Sequence, residues 1–132
     1  MLLVEAEVEN GPQAARQTRD RIATLRSKLE PTVLADLTLL VSELVTNAYR
    51  HSGTPSGDRI FLRVSMNDTL VRVEVEDHGE ASSKPHLREP DDTGGWGLHI
   101  VSQLADRWGT QKTGSGNLVW LEIQIPKKAE MR

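Results

Sequence analysis

Three short stretches of this chain place polar side chains and glycines at spacings that could do chemistry. The first stretch holds Glu43 and Asn47, and Arg50 follows them. Residues four apart in a helix lie on the same face, so the carboxylate and the carboxamide would be neighbours. Such oxygen donors suit Mg²⁺, which takes few protein ligands and relies on phosphate oxygens. On spacing alone, such a pair more often marks an ordinary solvated helix face.

The second stretch runs from Val71 to Gly79. Counting by twos from Val71 places Asp77 on the same strand face as the valines. An ionised carboxylate on an apolar face needs a partner, and an amino group of a bound ligand is one such partner. Gly79 would let the backbone approach that ligand closely. The alternative is that the strand has already ended and that Asp77 begins a turn.

The third stretch is a glycine cluster that contains Gly95 and Gly97 and leads into an apolar helix at Leu98. Glycines directly before a helix expose backbone N–H groups at its positive end, which is a ready site for an anion. A flexible hinge would have the same composition. No Gly-Lys-Ser/Thr follows, so the cluster is not a Walker loop. A dinucleotide fold is also disfavoured, because residues 78–94 separate the preceding strand from the glycines.

The elements that must position these stretches follow from the periodicity of apolar residues. The predicted order is a strand at 3–8, a helix that ends at Glu30-Pro31, a helix from about Val33 to Arg50, strands around 60–64 and 71–75 with a turn at Asn67-Asp68, a helix around 98–105, and two closing strands. This order predicts a two-layer α+β sandwich. Residues 78–94 contain Pro85 and Pro90 and are predicted to form a long functional lid.

Length and composition narrow the class of protein. The chain has 132 residues and a formal net charge of −3, which favours a single domain over 1–132 and excludes a strongly basic nucleic-acid-binding surface. It has no cysteine, so disulfides and thiolate chemistry are excluded. No apolar run approaches the ~20 residues needed to span a bilayer, and the N-terminus lacks the bases of a signal peptide. These features predict a cytoplasmic protein without membrane or nucleic-acid partners.

Together and in this order, the three stretches resemble the boxes of the histidine-kinase-like (GHKL) ATPase superfamily. Glu43 to His51 resembles the N box, Asp77-His78-Gly79 the G1 box and Gly95-Trp96-Gly97-Leu98 the G2 box. The strings SELVTNAYRHS and GLHIVSQLADRWG are especially similar to anti-sigma-factor serine/threonine kinases. The resemblance covers roughly residues 10–125. It implies a Bergerat-type ATP-binding fold, with a mixed, mostly antiparallel sheet and about three helices on one face.

The resemblance also implies roles for individual residues. Asn47 would hold Mg²⁺ between the ATP phosphates, and Glu43 would orient or deprotonate the attacking hydroxyl. Asp77 would accept a hydrogen bond from the adenine amino group, which agrees with its strand phase. The other nucleotide-binding positions that the resemblance implies are Arg50, Gly79, Gly95, Gly97 and Leu98. Residues 78–94 would form the ATP lid.

The function that the resemblance implies is an ATP-binding regulator. It would phosphorylate a serine on an anti-anti-sigma (STAS-type) partner and sequester a sigma factor, and by analogy it could form a homodimer. The alternative is a non-catalytic binding module of the same fold, which sequesters a regulator with or without ATP. Ala81 motivates that alternative, because the G1 box usually has a second glycine there. A detached histidine-kinase domain ranks last, since no helical hairpin with a phosphoacceptor histidine is encoded.

Overall fold

The computed structural model describes residues 1–9, 11–51, 59–77, 96–114 and 116–125, with the side chains of 47–51 and 96–99 outside the description. The elements are β1 Leu2–Glu9, α1 Ala14–Ala23, a 3₁₀ turn Thr24–Ser27, α2 Pro31–His51, β2 Arg59–Met66, β3 Leu70–Asp77, α3 Trp96–Leu104, β4 Arg107–Lys112 and β5 Asn117–Gln124. Within these ranges, no helix is long and apolar enough to cross a membrane.

The strands form one five-stranded sheet in the order β1-β2-β3-β5-β4, with β3 in the centre. All four pairings between these strands are antiparallel. The predicted α+β sandwich is confirmed, and the described strands contain none of the parallel pairing that a mixed sheet would allow. Buried and exposed residues alternate along β1, β2, β3 and β5, so one face of the sheet is apolar.

The helices cover that apolar face. Helix α1 contacts β1, α2 contacts β3 and α3 contacts β4, while α2 also contacts both other helices. The apolar stripe of α2 consists of Leu37, Leu40, Val41 and Leu44, which are all buried. The side chain of Ala48, four residues after Leu44, lies outside the description. Helix α2 is therefore the central element of the helical layer.

The junction between the first two helices differs in detail from the prediction. Helix α1 ends early, and the 3₁₀ turn carries the chain onward. Leu25 and Leu29 are nevertheless buried, because they continue the apolar side that α1 begins. Helix α2 starts at Pro31 rather than near Val33. Proline suits a first helical position, since its missing N–H has no intrahelical partner there.

The turn between β2 and β3 sets the register of the central strand. The Oδ1 atom of Asn67 accepts hydrogen bonds from the backbone N–H of Thr69 at 2.8 Å and of Leu70 at 3.0 Å. Such Asx geometry explains why asparagine favours this turn, and it confirms the hairpin predicted at Asn67-Asp68. The register that follows pairs Met66 with Val71 at the turn end of the hairpin. With this register, buried and half-buried residues alternate along β3 without interruption up to its last residue, Asp77.

The opposite face of the sheet is not covered by the described helices. There the Arg72 guanidinium lies 4.6 Å from the centre of the Trp120 ring and donates to Glu122 at 2.9 Å. Gly109 of β4 is paired with Trp120, and a Cβ atom at Gly109 would lie 2.9 Å from the indole. The glycine therefore leaves the space that the indole occupies. Trp120 thus packs on this open face against Arg72.

Candidate functional site

Asp77 is the last residue of β3 and lies on the face that the helices cover. It is 3% exposed and continues the alternation set by Val71, Val73 and Val75. It is also still in the ladder, because it is paired with Asn117 of β5. The predicted strand phase is thus confirmed, and the alternative of a turn beginning at Asp77 is wrong. A carboxylate consequently sits at the end of the central strand, at the edge of the apolar core.

Asn117 lies directly across the ladder from Asp77 and shares its face of the sheet. Residues opposite each other in an antiparallel pair have Cβ atoms about 4.5–5.5 Å apart. Asn117 is 1% exposed, and within the described part of the chain neither its Nδ2 nor its Oδ1 has a hydrogen-bond partner. Asn117 is not among the site residues predicted from the sequence. Counting back by twos from Leu121 and Val119 would have placed Asn117 on the apolar face, as it placed Asp77.

An amide buried without partners is unusual in a native fold. Leaving such a group unsatisfied costs about 1–3 kcal/mol, and most buried polar groups have a protein or water partner. The next residues on the same face, Val75 and Val119, are paired with each other and buried. The Asp77 carboxylate and the Asn117 amide therefore lie beside the apolar surface of these two valines. These residues fit a flat heteroaromatic ring with a polar edge.

Helix α2 carries the N-box residues and contacts this strand. It is continuous from Pro31 to His51, so Glu43, Asn47 and Arg50 belong to one helix, as predicted. Glu43 is half-buried, whereas the side chains of Asn47 and Arg50 lie outside the description. Helix α2 contacts both β3 and α3. The element that carries Glu43 is therefore a neighbour of the element that ends in Asp77.

Helix α3 begins at the predicted glycine cluster. Its first residue is Trp96, so Gly97 and Leu98 lie in its first turn and Gly95 immediately precedes it in the chain. The side chain of Leu98, and the residues Gly79 and Gly95, lie outside the description. The predicted lid at 78–94 also lies outside the described residues. The structure thus has a helix that starts at this position, as an anion site would require, and that helix contacts α2.

A shallow groove of about 420 Å³ lies on the other face of the sheet, with Phe61 and Leu118 among its lining residues. Arg63 crosses it and forms ion pairs with Glu5 at 3.1 Å and with Glu74 at 3.5 Å. Exposed pairs of this kind contribute only about 0–1 kcal/mol to stability. The groove is separated from Asp77 by the sheet itself. The buried pair at the end of β3 is therefore the stronger candidate for a binding site.

Comparison with known proteins shows the family of the chain. A family model described as the histidine kinase-like ATPase domain matches residues 4–123. The anti-sigma F factor of Pasteuria penetrans is 31% identical over an alignment of 114 positions, which covers 76% of each chain. These matches confirm the resemblance to the superfamily and to its anti-sigma type.

A solved structure supports the fold alone. The histidine kinase domain of the blue-light activated histidine kinase from Erythrobacter litoralis EL346 superposes with a TM-score of 0.55 at 22% identity. The match covers 83% of this chain and 58% of that one. Since the family model spans the strands, helices and candidate site described above, the chain belongs to the histidine kinase-like ATPase domain family.

Proposed function

We propose that this chain binds ATP between the end of β3 and helices α2 and α3, and that it acts as an anti-sigma regulator. The observation that carries the proposal is the burial of Asp77 at the end of the central strand. This is the position to which the family resemblance assigns the adenine contact. The anti-sigma role is supported by the similarity to the anti-sigma F factor.

The base would be held at the end of the sheet. The Asp77 carboxylate can accept a hydrogen bond from the amino group of adenine. Val75 and Val119 offer apolar surface on the same face. Gly79, which follows Asp77 by two residues, would let the backbone approach the ring.

The phosphates would lie toward the helices. The backbone N–H groups at Gly95 and Gly97 would face the anion at the start of α3, where the helix dipole favours negative charge. Asn47 would hold Mg²⁺, and Arg50 would contact a phosphate. Bound Mg²⁺ supplies neutralisation of the charge on the phosphates. The contact between α2 and α3 supports a shared phosphate site.

We propose further that the chain is a protein serine kinase. Glu43 lies one helical turn before Asn47, so it would stand near the terminal phosphate. As a general base it would take the proton of a serine hydroxyl on an anti-anti-sigma (STAS-type) partner. The serine oxygen then forms a bond to the γ-phosphorus, the bond to the bridging oxygen breaks, and ADP leaves. The second partner, a sigma factor, would be held inactive in the cytoplasm.

A second candidate function is a binding module that sequesters a regulator without phosphoryl transfer. Ala81 favours it, because a second glycine is usual at that position of the G1 box. Tight binding of Mg-ATP without transfer to any partner would support this module over the kinase.

Calorimetric titration with Mg-ATP tests the binding site. Asp77→Asn should lower the affinity about 10- to 100-fold, because a carboxylate acceptor for the amino group is replaced by an amide. Glu76→Gln is the matched control, since Glu76 is the preceding residue of β3 and points to the open face opposite Leu118. It should bind within about twofold of the wild type. Equal affinity of Asp77→Asn and wild type would overturn the adenine assignment.

A further inference from the structure

Glu76 differs from the other carboxylates that line the groove on the open face of the sheet. Each of the others is paired with an arginine, Glu5 at 3.1 Å, Glu7 at 3.8 Å and Glu74 at 3.2 Å. Glu76 lines the same groove, but it forms no ion pair and no side-chain hydrogen bond with the described part of the chain. We propose that the groove is a docking site for a basic segment of a partner protein, which places a lysine or arginine side chain beside Glu76.

The neighbours of Glu76 in the sheet are apolar on both sides. In the ladder it is paired with Phe61 of β2 and with Leu118 of β5, and all three residues lie on the open face. Residues directly opposite each other have Cβ atoms about 4.5–5.5 Å apart, so the carboxylate lies between an aromatic ring and an aliphatic side chain. Phe61 is 38% exposed and Leu118 is half-buried, which leaves apolar surface beside the carboxylate that a partner can contact.

A lysine or arginine side chain has the chemistry that these three residues require. Its charged end can pair with the Glu76 carboxylate while its methylene groups cover the apolar surface of Phe61 and Leu118. An arginine can also stack on the face of the aromatic ring. The groove of about 420 Å³ lies near the lower end of the usual range for ligand pockets, so it fits the side chains of one segment.

The charges around the groove favour a basic occupant from another molecule. Four glutamates and one arginine, Arg63, line the groove, and Arg63 is shared between Glu5 and Glu74. Arg72 is likewise shared between Glu74 and Glu122. The apolar surface beside the carboxylate favours a protein segment over a free inorganic cation, which would cover none of it. This inference goes beyond the proposed function, because the sheet separates the groove from the proposed nucleotide site.

The test titrates the isotope-labelled chain with a short peptide in which an arginine is flanked by leucines. The comparison peptide carries citrulline, the neutral isostere of arginine, at the same position. NMR shift changes locate and quantify weak binding. The arginine peptide should shift amide signals of β2, β3 and β5 around Glu76 and should bind about 10-fold more tightly than the citrulline peptide. Equal affinities, or shifts confined to the helices, would overturn the inference.

A pair of charge-matched variants tests the role of Glu76 itself. Glu76→Gln should lower the affinity for the arginine peptide about 10-fold and remove its advantage over the citrulline peptide. Asp20→Asn removes the same charge from an exposed position of α1, on the covered side of the sheet, and should bind within about twofold of wild type. Equal losses in both variants would show a general charge effect and overturn the inference. The two peptides on wild type decide the question if Glu76→Gln does not fold.

A second copy of the chain is the competing occupant of the groove. Analytical ultracentrifugation of wild type and Glu76→Gln distinguishes it from a partner protein. The same oligomeric state in both, together with the loss of peptide binding in Glu76→Gln, supports the docking site. A wild-type dimer that Glu76→Gln dissociates would show that the groove is a contact between copies and overturn the inference.

Discussion

The two faces of the β-sheet both carry polar side chains, but the partners of those side chains differ. On the open face, Arg72 donates to Glu74 and Glu122, and Glu122 Oε1 lies 3.7 Å from Arg107. On the face toward the helices, the Asn117 amide has no hydrogen-bond partner among the residues that the structure describes. Glu122 Oε1 is also buried without a hydrogen-bond partner, but its charge is paired with the Arg107 guanidinium. The Asn117 amide has no such ion pair, and it lies at the end of β3, where we propose that the nucleotide binds.

The two faces should therefore differ in how their polar side chains affect the stability of the fold and the binding of a ligand. A polar group whose partners lie in the same chain is typical of a surface network. In such a network each exposed pair contributes little to the free energy of unfolding. A buried group without such a partner lowers stability and is tolerated where function requires it. If the proposed function is correct, substitutions at the end of β3 should change nucleotide binding, whereas substitutions in the groove on the open face should not.

The largest expected effect concerns Glu43 on the helical side. If it is the general base, Glu43→Gln should lower the rate of phosphoryl transfer to an anti-anti-sigma protein about 10²- to 10⁴-fold. Mg-ATP affinity should change little, because the residue acts on the attacking hydroxyl. The measurement is transfer of labelled phosphate, alongside calorimetry of ATP binding.

The control for Glu43 is Asp36→Asn. Asp36 is a half-buried acid two turns earlier in α2, and the variant should transfer phosphate at the wild-type rate. Equal rates in Glu43→Gln and wild type would remove Glu43 from the role of base.

The next effect compares leucines on the two faces of β5. Leu121 is fully buried under the helices, whereas Leu118 is half-buried on the open face. Leu121→Ala should lower the free energy of unfolding by about 2–5 kcal/mol, because it leaves a cavity in the core. Leu118→Ala should cost less than about 1 kcal/mol, since its surroundings are partly solvent. Urea denaturation measures both, and similar losses would contradict the contrast between the faces.

The smallest expected effect tests the packing of the open face. Gly109→Ala should destabilise the chain by about 1–3 kcal/mol, because the new Cβ would lie 2.9 Å from the Trp120 indole. In a Trp120→Ala background the same change should be neutral or stabilising, since alanine is favoured over glycine within a strand. A double-mutant cycle by thermal denaturation measures this coupling. Additive effects would show that the indole is not what excludes the side chain.

The local periodicity of apolar residues was sufficient to predict several features of the site. The alternation of valines placed Asp77 on the covered face of β3, and helical spacing placed Glu43 and Asn47 in one helix. Both patterns depend only on neighbouring residues, because side chains repeat every second residue in a strand and every 3.6 residues in a helix. The early end of α1 was not predicted, since Leu25 and Leu29 are compatible with either an α-helix or the tighter 3₁₀ turn.

By itself, the sequence determined the order of the elements, the apolar side of each one and the three motifs that identify the family. Only the tertiary structure decided that β5 lies between β3 and β4, so that Asn117 is paired with Asp77 across forty residues of chain. The periodicity of a strand shows which of its faces is buried, but it does not show which other strand pairs with it. That choice depends on which arrangement buries all the apolar faces together under the helices, and so it is a property of the whole fold.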